Sequence, residues 1–195
     1  MWETNTPATL EPLFLLPNTK NMAETDLQLL TRCANFTLAH THAIEEEVYK
    51  ALETSGRTSL VMTLRMLRLQ RAVLAIGMFS LFEALLQTTM NWKNAFEELD
   101  KYLRAQGAIA LADKIADYKL AINVLKHGEG RSHTELLSQT ALLEFGVRAK
   151  TDFFSEGDVS EVGVLIDVDD KFVRRCAELV EEAADIIRIK EKVWL

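Results

Sequence analysis

Along most of this chain, apolar residues recur every three or four positions, the spacing of a helix face rather than of a strand. Between Ala23 and Ser55, Leu27, Leu30, Ala34, Ile44, Val48 and Ala51 keep that interval, with Thr37 and Thr41 filling the middle. The pattern predicts a helix with one buried stripe. The run Glu45-Glu46-Glu47 falls off that stripe and is predicted to be a solvated face. From Thr58 to about Asn91 the pattern changes: Leu60, Met62, Leu64, Met66, Leu67, Leu69, Val73, Met78, Leu81 and Leu85, among others, point in nearly every direction. A helix apolar all round is central, or is covered by its own bundle on one side and a second subunit on the other.

Three further helices follow. Asn94 to Ala105 is short and amphipathic, with Phe96, Leu99 and Leu103 on one side. Ala108 to His127 carries a seam of Leu111, Ile115, Tyr118, Ile122 and Leu125. The last helix opens near Asp169 and buries Phe172, Val173, Cys176, Leu179, Val180, Ala183 and Ile187. Ser132-His133-Thr134-Glu135 has capping-box spacing, so another short helix is predicted to start there. Residues 145–168 are the least regular. Glu161 to Asp167 reads as an extended segment pairing in a small hairpin with Phe145 to Arg148.

All three prolines, Pro7, Pro12 and Pro17, precede this body, and glycines fall where the helical patterns stop. The predicted fold is all-α: an up-and-down bundle of four to five helices. It has an N-terminal arm (residues 1–22) and a short irregular or extended insertion before the last helix. Residues 23–195 form one domain, a size that suits 195 residues. The arm's Leu13-Phe14-Leu15-Leu16 is expected to pack onto the body, exchange between subunits being the alternative.

The net charge of −7 argues against a surface that is basic throughout, so any nucleic-acid contact must be a local patch. Two distant cysteines, Cys33 and Cys176, argue for a reducing compartment. The N-terminus has no secretory pattern, and the longest uncharged apolar stretch, Ala72 to Phe82, is too short to span a bilayer. A cytoplasmic protein with no membrane partner is expected.

The chemistry is sparse. His40 and His42 are two apart and point to different faces; His42 and Glu46 share a face but make only two ligands. His127 and His133 straddle a glycine turn at no zinc spacing. No metal and no cofactor are predicted, since no phosphate loop, nucleophile elbow or base-paired cysteine occurs. The richest stretch is Ile122-Asn123-Val124-Leu125-Lys126-His127-Gly128-Glu129-Gly130-Arg131-Ser132. Asn123 and His127 are four apart on one helix face, Lys126 adjoins them, and Lys119 extends the polar stripe one turn back. The carbonyls that end a helix favour a cation, so an imidazolium at His127 is stabilised and suits an anionic ligand. The plainer reading is that Lys126 and His127 cap the helix end. Arg65, Arg68 and Arg71 form a row expected to pair with Glu45 to Glu47, the alternative being an RNA groove. Phe153, Phe154 and Trp92 could stack bases but are more simply packing residues.

Asn-x-x-Lys-His-Gly at a helix end, after an apolar helix bearing Phe79-Ser80-Leu81-Phe82-Glu83-Ala84-Leu85-Leu86, resembles the HEPN superfamily of helical-bundle proteins. The resemblance covers roughly residues 25 to 190 in layout and rests on those two motifs. Such proteins are typically dimers, and many are metal-independent ribonucleases of toxin–antitoxin, defence and RNA-processing systems. Their signature is an arginine, often followed by a polar residue, and then a histidine, with two subunits' motifs meeting in a cleft. The resemblance assigns the histidine to His127 and the polar residue to Asn123, while the arginine position falls on Ile122. Isoleucine neither binds phosphate nor stabilises added charge on phosphorus. The resemblance thus implies a homodimer that binds RNA or an antitoxin-like partner, with weak or lost cleavage. His127 and Asn123 would be its catalytic pair, with Lys126, Arg131 and Lys119 as its phosphate contacts. The competing expectation is a non-enzymatic protein-interaction module. A small-molecule carrier built on Met62, Met66 and Met78 is weaker, since such methionines usually fill core gaps.

Overall fold

The computed structural model describes residues 26–149, 151 and 165–191. Six α-helices follow one another: α1 (Asp26–Leu52), α2 (Thr58–Met90), α3 (Ala95–Ala105), α4 (Ile109–His127), α5 (Arg131–Ser138) and α6 (Asp170–Glu191). A 3-10 turn, Thr140–Leu142, follows α5. The fold is all-α, as the periodicity predicts. The arm lies outside the described residues, as do Phe153 and Phe154.

The core follows the predicted seams except at Ile44, which the periodicity places on the α1 stripe and which is 43% exposed. α1 contributes Leu27, Ala34, Leu38 and Val48, and α2 contributes Leu64, Leu67, Ala75, Met78, Phe79, Phe82 and Leu86. α6 is packed along its length, from Phe172 and Val173 to Ala184 and Ile187. Its start is fixed by the Asp169 carboxylate, whose Oδ1 accepts a hydrogen bond from the Phe172 N–H at 2.7 Å. That satisfies one of the donors a helix leaves open at its first turn. Burial pushes the Cys176 thiol pKa upward, away from reactivity.

Four further expectations are corrected. The acidic run on α1 is not wholly solvated: Glu45 is half-buried because it meets a buried arginine, Arg71. The single subunit does not bury α2 all round, so the fully central alternative is excluded: Met62, Met66, Leu69 and Val73 are 52%, 59%, 65% and 60% exposed. Only Met78 among the three central methionines fills the core, at 0% exposure. α5 begins at Arg131, so Ser132 lies inside the first turn, and no side-chain hydrogen bond caps that end. The chain turns at Gly128, three residues before α5 begins.

The predicted hairpin survives as one antiparallel bridge, Val147 with Ile166. Arg148 N–H donates to the Leu165 carbonyl and Asp167 N–H to the Gly146 carbonyl, both at 2.9 Å. Residues 161–164 of that hairpin lie outside the described residues. The bridge is seated by Phe145, whose ring meets Tyr118 edge-on at 4.9 Å and Phe172 at 5.2 Å. Among the described residues, α2 is the one helix long and apolar enough to cross a membrane, and 33% of its most apolar stretch is buried in the bundle.

Candidate functional site

The last turn of α4 ends on Gly128, whose N–H donates to the Val124 carbonyl at 2.7 Å. Gly128 has φ +76° and ψ −147°, a backbone region that L side chains rarely enter. The chain leaves α4 sharply there and enters α5 three residues later. Lys126 and His127, the last residues of α4, and Arg131, the first of α5, flank this turn, and all three are exposed. Asn123 sits one turn back, half-buried. Among the described residues, none of these four side chains has a hydrogen-bond or ion-pair partner. Two fixed cations and an imidazole thus share one corner with unspent donors, on a helix end that favours positive charge.

Ile122 is 4% exposed and Val124 3%, so that side of α4 belongs to the core. The position the family resemblance gives to arginine is therefore closed to any ligand at the corner. Lys119 is not brought to it either. Two turns back, roughly 12 Å along the axis, its Nζ lies 5.6 Å from the centroid of the Phe96 ring on α3. A cation over an aromatic face is partly satisfied there. Trp92 packs on Tyr102 at 5.6 Å, a packing residue as its plainer reading has it.

The other histidines are spoken for. His133 is 4% exposed and its Nε2 donates to the Arg148 carbonyl at 2.8 Å, which ties α5 to the bridge. His42 Nε2 lies 3.2 Å from Glu46 Oε1 on the α1 surface. His40 bonds the Phe36 carbonyl of its own helix at 3.0 Å. Among the described residues no group of three or more His, Cys, Asp or Glu side chains is placed to hold a metal ion.

Sequence reasoning missed a groove of about 1240 Å³ that begins at Gly128 and runs between α2, the bridge and the start of α6. Met62, Met66 and Leu69 form its apolar side, and Arg65, Arg148 and Lys171 add cations. At its inner end lies Arg71, 5% exposed, whose guanidinium spans two helices. Nε meets Asp170 Oδ1 of α6 at 2.6 Å, and Nη2 meets Glu45 Oε2 of α1 at 2.5 Å. Burial works against that charge, but hydrogen bonds to Glu45 and Asp170 outweigh it and leave the pKa above its ordinary value. The expected pairing with the acidic run is met at Glu45. Asp170 carried no signal, because only folding brings it within reach.

Comparison of the chain with family models, curated proteins and solved structures finds no match.

Proposed function

We propose that this chain is a HEPN-like helical homodimer of the cytoplasm that binds RNA at the α4–α5 corner and has weak or lost ribonuclease turnover. The observation that carries the reading is the corner itself: Lys126, His127 and Arg131 exposed together while Ile122 is shut in the core. Phosphates bind exposed cations without a metal, and two cations with an imidazole suit successive phosphates of a polyanionic strand. Any residual turnover would use His127 as the acid–base group, with Asn123 holding the ring or the phosphate. The ribose 2′-hydroxyl would attack phosphorus, lose its proton, and expel a protonated 5′-oxygen to leave a cyclic phosphate. Without a guanidinium in line with Asn123 the pentacovalent charge is poorly met, and the loss of one such contact costs about 10²–10³ in rate.

The test is fluorescence anisotropy with single-stranded RNA over a salt series, wild type against Lys126→Ala/Arg131→Ala. The double variant is expected to bind at least several-fold more weakly, with the log–log salt slope shallower by about 0.7 for each cation removed. Unchanged affinity and slope would remove the reading. His127→Ala, assayed for cleavage, tests the residual mechanism separately.

A second reading, a module that binds another protein, is favoured by one observation: the exposed apolar row on α2. Purification from the native host separates the two, as bound RNA favours the first and a stoichiometric protein without RNA favours the second.

A further inference from the structure

The exposed row on α2 has an internal symmetry. Met62, Met66, Leu69, Val73, Gly77, Ser80 and Ala84 follow at intervals of 4, 3, 4, 4, 3 and 4, the same in both directions from Val73. At 100° per residue these seven share one face of the helix, opposite the buried line from Leu64 through Arg71 to Leu86. The half before Val73 is large and the half after it is small. A Cβ built at Gly77 meets nothing within 4 Å, so the small half is open in the single subunit.

We infer that this face is the seat of a second copy of the chain, laid antiparallel with its two-fold axis at Val73. In that register Met62 lies opposite the partner's Ala84, Met66 opposite the partner's Ser80 and Leu69 opposite the partner's Gly77. Val73 meets the partner's Val73. Every large side chain enters a space left by a small one, over a contact about 33 Å long. This is an isologous interface, self-complementary by construction. A parallel pairing would set large on large at one end and leave voids at the other, and packed interiors do not tolerate voids.

Charge selects the same register. Arg65 and Glu83 lie on the same flank of the row, three residues past Met62 and Ser80 respectively. The two-fold axis puts Arg65 and the partner's Glu83 on one side, offset by two residues, about 3 Å along the axis. Arg65 is exposed and Glu83 half-buried, and neither has a partner among the described residues. Two symmetric ion pairs would close one edge of the interface. Met62, Met66 and Leu69 also form the apolar side of the groove that starts at Gly128, so the second copy would wall the groove next to the corner.

The inference rests on the homodimer of the proposed function and adds its face and register. The test is sedimentation equilibrium of the full chain at micromolar concentration, followed by disulfide trapping in a Cys33→Ser background. Wild type is expected as a dimer. Val73→Arg, at a site 60% exposed in the subunit, is expected as a monomer with unchanged helical circular dichroism. Val73→Cys should cross-link with itself on oxidation. Leu69→Cys should not, because the two copies sit eight residues apart, about 12 Å, beyond disulfide reach. Arg65→Glu and Glu83→Arg should each weaken the dimer, and the double swap should restore it. A monomeric wild type would overturn the homodimer and this interface together. A dimer that Val73→Arg leaves intact, or that Leu69→Cys traps as readily as Val73→Cys does, would overturn the interface alone.

Discussion

Ile122 and Asn123 are neighbours in the chain with opposite fates. The first is 4% exposed in the core and the second half-buried beside the corner. A buried isoleucine makes the departure from the arginine of the HEPN-like pattern structural as well as chemical, because Ile122 belongs to the apolar core. Ile122→Arg is therefore expected to cost stability rather than create a nuclease. A guanidinium forced into that position would lack a carboxylate, at a penalty of about 3 kcal/mol or more. Urea unfolding should show the loss as a lower midpoint, and RNA cleavage should not rise. A variant as stable as wild type would mean that the side chain escapes to the corner, and the position would then be a catalytic one open to repair. His133 shows the complementary limit of reading single residues. It lies across the same glycine turn from His127, but only the fold reveals that it is buried against the Arg148 carbonyl.

At the scale of elements, periodicity was informative about which residues share a face and silent about what covers each face. The bounds of α2, α3 and α4 lie within a residue or so of those predicted, because Gly56, Gly107 and Gly128 interrupt the helical pattern at their ends. Which side of α2 would stay open was not legible, since Met62 and Met78 are the same residue type on opposite faces. α6 illustrates a local signal that the fold uses directly. Its first turn depends on one side chain, Asp169, bonded to the Phe172 N–H at 2.7 Å. Asp169→Ala is expected to cost about 1 kcal/mol, and Asp169→Asn, which keeps an acceptor, clearly less. Thermal melting of the two variants side by side checks this. Equal losses would show that the acidic charge, and not the hydrogen bond, holds the helix start.

At the scale of the molecule, three helices converge on Arg71, the last of them distant in sequence. Its guanidinium bonds α1 through Glu45 and α6 through Asp170 while it belongs to α2. Half of this arrangement was legible, because the row of arginines and the acidic run suggested a pairing of α1 with α2. The other half was not, since Asp170 lies 99 residues along the chain and looks like any acidic residue at a helix start. The energetics of the cluster are asymmetric. Removing a cation from between two carboxylates leaves both short of a partner and close to each other, which costs more than the intact cluster contributes. Glu45 and Asp170 keep contact with water, at 19% and 24% side-chain exposure, so the expected loss for Arg71→Ala is about 3 kcal/mol, the low end for breaking a buried pair. Arg71→Lys keeps the charge but loses the planar fork, so it should reach one carboxylate and recover only part of that loss. Glu45→Leu/Arg71→Met/Asp170→Leu removes all three charges together and should be much closer to wild type than Arg71→Ala. Urea unfolding of the three proteins orders them. If Arg71→Ala matches wild type, the cluster adds nothing to stability. If the triple variant falls as far as Arg71→Ala, the arginine acts through packing rather than through its charge.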